Sequence, residues 1–319
     1  MKKHFLLLII ISLMLIIFPS CSKKEIDSNV NQSKLDYSFT YLDDSGNLHL
    51  YSYKKSSDSM LLKGENLENY DFNANNNCVA YVSNGNIVIQ DLQNKTNKTI
   101  YSSKSSAKKI SWSPDGRYLA ANFGLTGYVQ IYDSKNDSWI KIENGTSSFI
   151  WSPDSSKLAV GLVQNYSGNN SVTTSLILLN KENTIKTLIK GSEDFCTEPF
   201  YWESENNLVI RKSASGAKEY SKYLVTNIND GSISEANPNL PDKFCNEIPE
   251  FSYDRKYVLY ESYDYNEKST KIYIYNTEDK TYKYICQGKV PKWIKWFLEE
   301  PAQGRNSRYS PLDAGNNGW

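Results

Sequence analysis

Trp112-Ser113-Pro114-Asp115-Gly116-Arg117-Tyr118-Leu119-Ala120 is the stretch on which the reading of this chain turns. Pro presets φ at the first turn position, Asp bonds nearby backbone N–H groups, and Gly accepts φ > 0. With an aromatic before the turn and an apolar residue seven positions on, the stretch predicts a strand, a tight turn and a returning strand. Trp151-Ser152-Pro153-Asp154-Ser155-Ser156-Lys157-Leu158 repeats it 39 residues later, and Phe251-Ser252-Tyr253-Asp254-Arg255-Lys256-Tyr257-Val258 is a third copy. Weaker copies begin at Phe72, reaching Val79, and at Tyr201, reaching Leu208. In all of them the aspartates Asp115, Asp154 and Asp254 read as turn formers rather than as catalytic acids.

A second unit alternates with the first: Leu48–Tyr51, Ile87–Gln90, Val129–Tyr132, Leu176–Leu179, Leu224–Thr226 and Ile272–Tyr275. Most copies run into Asn or Asp and then into another apolar run, which predicts a third strand, a hairpin turn and a fourth. Four strands every 39 to 50 residues is the period of a propeller blade. The second unit occurs six times, but the first is complete only five times. Tyr37–Tyr41 supplies a second strand with no first before it, and Val290–Ile294 a first strand with no regular partner after it. Joined, they complete a sixth blade from one C-terminal and three N-terminal strands. The expectation is an all-β fold, a six-bladed β-propeller of four-stranded antiparallel blades, in which Trp293 pairs beside Phe39.

Composition agrees. Of 319 residues 39% are apolar and 13% aromatic, enough for a substantial core, and the 24 tyrosines outnumber the 11 phenylalanines. Basic and acidic residues number 36 each; without Lys2 and Lys3 the balance is 34 against 36, a net of −2. Such a domain lacks the basic footprint of a nucleic-acid binder.

The run Trp112–Ala120, with Pro-x-aromatic at Pro249–Phe251 and Pro291–Trp293, resembles the WD40-like propeller repeats of the TolB family. The resemblance covers roughly residues 37 to 296 and implies a six-bladed propeller of the cell envelope. It does not reach a separate N-terminal domain, so the pore and colicin partnerships of TolB are not implied. The Gly-His and Trp-Asp signatures of true WD40 repeats are absent.

Lys2-Lys3, the apolar run Phe5–Phe18 and Pro19-Ser20-Cys21 read as a secretory signal over residues 1–21. Fourteen helical residues reach about 21 Å, short of a bilayer core of about 30 Å. Cys21 sits where bacterial lipoproteins are acylated, although Phe18 and Pro19 depart from the usual lipobox, which has Leu first and Ala or Ser second. Residues 22–36 are expected to be a flexible tether, 37–297 the propeller and 298–319 an irregular tail. Together these predict an exported monomer held on the outer face of a bacterial cell membrane by lipid on Cys21.

Candidate chemistry is sparse. The one histidine after the leader, His49, reads as a partly exposed strand residue, so no His-based metal site or nucleophile is expected, and no cofactor. Phe195-Cys196-Thr197-Glu198-Pro199 and Phe244-Cys245-Asn246-Glu247-Ile248 match, which places Glu198 and Glu247 near the channel rim on adjacent blades. Lys108 and Lys292 precede their own first-strand aromatics. The four make a candidate polar funnel for a ligand, and Cys196–Cys245 a candidate disulfide. The expected function is a binding platform for protein, peptide or glycan. The alternative is an envelope hydrolase or lyase that uses carboxylates at the channel mouth on polysaccharide or peptide.

Overall fold

The structure, a computed structural model, describes residues 37–294 apart from 65–66, 104, 125–126, 167–168, 180–183, 215–221, 239, 241–249 and 253. The expected leader with Cys21, the tether and the tail lie outside the described residues, as do Cys245 and Glu247. The described chain is all strand and turn, arranged as six four-stranded antiparallel blades. Blade 1 is β24 (Lys289–Trp293), β1 (Ser38–Leu42), β2 (Leu48–Ser52) and β3 (Ser57–Leu62). Blade 2 is β4 (Asn69–Asn73), β5 (Cys78–Ser83), β6 (Asn86–Asp91) and β7 (Thr96–Ser102). Blade 3 is β8 (Lys109–Trp112), β9 (Tyr118–Phe123), β10 (Tyr128–Asp133) and β11 (Ser138–Glu143). Blade 4 is β12 (Gly145–Trp151), β13 (Lys157–Tyr166), β14 (Asn169–Leu178) and β15 (Ile185–Ile189). Blade 5 is β16 (Phe195–Trp202), β17 (Asn207–Ala214), β18 (Lys222–Asn227) and β19 (Ile233–Ala236). Blade 6 is β20 (Glu250–Phe251), β21 (Tyr257–Asp264), β22 (Ser269–Asn276) and β23 (Tyr282–Gln287).

The ring closes as the repeats require. Phe39 pairs with Trp293 and Thr40 with Lys292, antiparallel, with a bulge before Leu42 meets Lys289. The Phe39 and Trp293 rings meet edge to face at 5.7 Å, inside a cluster that also holds Leu259, Ile272 and Ile274 of blade 6. Closure thus covers the inner edge of β1 and ties both ends of the domain together.

The Ser-x-Asp turns share one construction. In each, the backbone N–H of the serine (Ser113, Ser152, Ser252) donates to the carbonyl five residues on, at 2.7 to 2.9 Å. The serine hydroxyl donates to Asp115, Asp154 or Asp254 and accepts the N–H of Tyr118, Lys157 or Tyr257. The position before the returning strand's first turn residue has φ > 0: Gly116 at 75°, Ser155 at 62° and Arg255 at 59°. At Gly116 a Cβ would also stand 1.9 Å from the Asn73 amide nitrogen of blade 2, so glycine is needed for space as well as for φ. Several neighbouring turns bond to one another. Asn75 donates to Pro114 O at 2.6 Å, Asp115 N–H to Ser155 Oγ at 2.9 Å, and Arg255 to the carbonyls of Trp202 and Glu203. Tyr37 OH of blade 1 donates to Asp254 of blade 6 at 2.6 Å.

The weak copy in blade 5 is shifted by one residue from the sequence reading. Trp202, not Tyr201, pairs with Leu208, because a bulge between Pro199 and Tyr201 offsets the strand and the turn is one residue shorter. The indole confirms the position. Trp202 Nε1 donates to Ile150 O at 3.5 Å, as Trp151 Nε1 donates to Ser111 O at 2.9 Å and Trp293 Nε1 to Glu250 O at 2.8 Å. Each tryptophan thus reaches back to the first strand of the preceding blade.

Candidate functional site at the central channel

One residue before each core aromatic lies a register position common to all six first strands: Lys292, Asp71, Ser111, Ile150, Tyr201 and Glu250. Lys292 shows that this position faces the axis. Its Nζ skips blade 2 and donates to Ile110 O of blade 3 at 3.1 Å. On the way it lies 3.8 Å from Asp71 Oδ1 and 5.6 Å from the centre of the Tyr70 ring. Asp71 accepts the Trp112 N–H at 2.7 Å through its other oxygen, and Tyr70 OH donates to Val290 O at 2.9 Å. Lys292 is 8% exposed and Asp71 3%, so this ion pair is interior. A buried pair of this kind is satisfied only because each charge also has hydrogen bonds to it. It pins blades 1, 2 and 3 together.

A second network lies further along the same first strands, in blades 3 to 5. Lys109 Nζ donates to Phe149 O at 3.0 Å and sits 4.7 Å over the Phe149 ring. Ser148 Oγ donates to Glu198 Oε1 at 2.7 Å, and Arg211 on the neighbouring strand β17 holds Glu198 Oε2 at 2.6 Å. Both partners keep access to solvent, Glu198 at 19% and Arg211 at 17%. Nearby, burial raises the Tyr201 phenol, with Arg255 opposing the rise.

The expected funnel is therefore split. Glu198 and Lys292 both stand on first strands, but in separate networks. Lys108 enters neither. It is exposed and precedes β8, and its backbone bonds Asn122 O and the Asn69 amide. The next residue, Lys109, is the one that faces blade 4, because side chains alternate along a strand. Cys196 carries a free thiol beside Ser171, at 3.8 Å, while Cys245 and Glu247 lie outside the described residues. Sequence reading missed Asp71, Lys109, Ser148 and Arg211. Asp71 had a signal, since it precedes Phe72 as Lys292 precedes Trp293. Arg211 had none, because only the bulged register puts it opposite Glu198.

His49 is the expected partly exposed strand residue, in β2, and it is held on both ring nitrogens. Its ring nitrogens face Asp58 at 3.1 Å and Asp43 at 3.3 Å, and its ring stacks on Tyr41 at 5.1 Å. Among the described residues no group of three His, Cys, Asp or Glu side chains is placed to hold a metal ion.

No protein-family model and no curated protein matches the sequence. Solved structures do. TolB from Acinetobacter baumannii superposes with a TM-score of 0.55 at 19% identity, over 81% of this chain and 67% of that one. An oligogalacturonate lyase in complex with manganese gives 0.52 at 12% identity, over 80% and 75%. The oligogalacturonate lyase from Vibrio parahaemolyticus gives 0.51 at 13%, over 76% and 71%. At these identities the likeness is one of fold, which hosts unrelated functions. In architecture this chain is a TolB-like six-bladed β-propeller.

Proposed function

We propose that the chain is an exported, membrane-tethered propeller that captures a protein, peptide or glycan at the channel mouth beside Glu198 and Arg211. The observation that carries this reading is the state of Glu198. Both carboxylate oxygens are engaged, by Ser148 and by Arg211, while the pair stays partly open to solvent. A carboxylate held this way is fixed in position, which suits recognition better than proton transfer, where a donor would have to be displaced first. The closed ring and the interior Lys292–Asp71 pair support a rigid platform, and a rigid surface loses little entropy when it binds. The signal-like stretch ending at Cys21 and the fold shared with an envelope protein support the address.

The test is photocrosslinking on intact cells from a reactive group at the exposed Ser147, followed by identification of what is captured. A specific partner that is lost in Glu198→Gln supports the reading. Turnover of a glycan or peptide by the purified protein, abolished by the same substitution, would establish the enzyme alternative instead.

A further inference from the structure

His49, in the third strand of the closing blade, stands between two carboxylates. Its Nε2 faces Asp43 Oδ2 at 3.3 Å, in the turn between β1 and β2. Its Nδ1 faces the two oxygens of Asp58 on β3, at 3.2 and 3.1 Å. Register makes this possible, since Met60 lies opposite His49 and Asp58, two residues earlier, shares its face. Asp43 is fixed by Asn47, whose backbone N–H and side-chain amide each donate to it at 2.8 Å. Tyr41 stacks on the imidazole at 5.1 Å and donates its hydroxyl to Asp58 Oδ2 at 2.9 Å. Cys286, on β23 of blade 6, meets that same Tyr41 hydroxyl. The titratable groups in contact with this cluster thus come from β1, the β1–β2 turn, β3 and the neighbouring blade.

A neutral imidazole has one N–H and one bare nitrogen, whereas an ionised carboxylate only accepts. With an acceptor at each nitrogen, the neutral ring satisfies one carboxylate and sets its lone pair against the other. The imidazolium donates to both at once. The neighbours do not relieve the mismatch, because Tyr41 and Asn47 already donate to Asp58 and Asp43 and keep them as acceptors. Burial works to raise the Asp43 carboxyl, but the bonds from Asn47 and His49 hold it below the ordinary aspartate value. Burial pushes the Tyr41 phenol far up and the Cys286 thiol up to about 11, so neither gives up a proton near neutrality. The histidine is the group of this cluster that changes charge there.

We propose that His49 is a proton-operated clamp on the blade that closes the ring. With both ring nitrogens protonated it ties the β1–β2 turn to β3; with one proton gone, one of the two carboxylates is released. The effect reaches the closure because Tyr41, stacked on the imidazole, lies in β1, the strand that pairs with β24. The same tyrosine packs in the cluster that joins blade 1 to Leu259, Ile272 and Ile274 of blade 6. The sign follows from which form fits the fold. The charged ring belongs to the folded state, so its contribution is full below the ordinary histidine value of about 6.5 and is lost as pH rises.

The test follows the isotope-labelled imidazole nitrogens of the full chain by NMR across the span in which histidine titrates, about pH 5 to 8. His49→Gln identifies the His49 signals, since His4 is common to both proteins. Asp43→Asn and Asp58→Asn keep shape and an acceptor but remove the charge, and each is expected to move the His49 midpoint down by about half a pH unit or more. Dispersed amide spectra show that each variant is folded. In urea unfolding, the folded-to-unfolded ratio that the wild type gains over His49→Gln is expected to fall about three- to tenfold from the acid to the alkaline end. A midpoint that stays put in either Asn variant, or a gain that is flat or grows with pH, overturns the clamp. Should His49→Gln fail to fold, the midpoints of the two Asn variants still decide. No residue of the channel mouth takes part, so the clamp stands or falls apart from capture beside Glu198.

Discussion

The two faces of blade 2 are built from the same strands and serve different ends. Toward blade 3 it presents Ala80, Val82 and Ile87, all fully buried, with Ile89 packed behind them. They meet Ile110, Trp112, Leu119, Ala121 and Phe123 in one continuous apolar seam. Toward blade 1 the alternate positions are Val79, Tyr81 and Ser83 on β5, and Asn86, Val88 and Gln90 on β6. There Leu42, Leu48, Leu67, Tyr70 and Val79 form an apolar seam with Tyr81 packed against it, and Leu62, Leu67, Tyr81, Asn86, Val88 and Gln90 line a cleft of about 440 Å³. A propeller blade needs burial on both faces to be stable, yet it does not need all of each face. Between blades 1 and 2 the interior Lys292–Asp71 pair adds a polar join to that seam.

That comparison is open to direct attack. The largest effect is expected at the axis, where Asp71→Ala leaves the Lys292 ammonium interior without its carboxylate; removing one member of a buried pair costs about 3–5 kcal/mol in urea unfolding. Replacing both, as Asp71→Leu with Lys292→Met, should recover most of that loss, and failure to recover would mean that the hydrogen bonds to Trp112 N and Ile110 O matter more than the charges. At the closed seam Ile87→Ala is expected to cost about 2–4 kcal/mol, since it opens a void among fully buried neighbours. Val88→Ala, one residue on but facing the cleft, should cost less than about 1 kcal/mol; equal losses at the two positions would erase the distinction between the faces.

The turns add a pH signature. Burial works to raise the Asp154 carboxyl, but hydrogen bonds from Lys157, Ser152 and Ser156 overcome it and hold the group at about 2. Its folded value is thus depressed. It stabilises the fold at any pH above the ordinary aspartate value of about 4, and that contribution fades as pH falls toward 2. The stability gap between the wild type and Asp154→Asn, about 1–2 kcal/mol near pH 6, should close over that window in urea unfolding series. At the small end, Lys98→Ala removes an outer-edge contact with Asp137 at 2.8 Å in which both side chains are more than half exposed, and a change within about 0.5 kcal/mol is expected.

Much of the fold was legible because it is written locally and repeated. Trp112–Leu119 encodes a turn by Pro, Asp and Gly, and its copies at Trp151 and Phe251 form the same hydrogen bonds at the same offsets. Counting the copies also placed Trp293 beside Phe39, a contact 254 residues apart, because a ring with one unpaired strand at each end has one way to close. Legibility failed where a single residue of phase mattered. In blade 5 the bulge at Phe200 moved the core aromatic from Tyr201 to Trp202 and brought Arg211 opposite Glu198. In blade 3 the same parity put Lys109, not Lys108, toward blade 4. Neither shift changes the repeat pattern, and each changes which side chain faces the site.

The sequence by itself determined the number of blades, their turns and the way the ring closes, since turn geometry and apolar alternation act over a few residues and recur six times. Which charges meet in the channel, and which face of a blade is left unfilled, only the tertiary structure decided. Lys292 finds Asp71 and the Ile110 carbonyl from two other blades, and Arg211 meets Glu198 through a one-residue bulge. Those pairings depend on how far neighbouring blades approach at each radius, a distance that no stretch of forty residues contains.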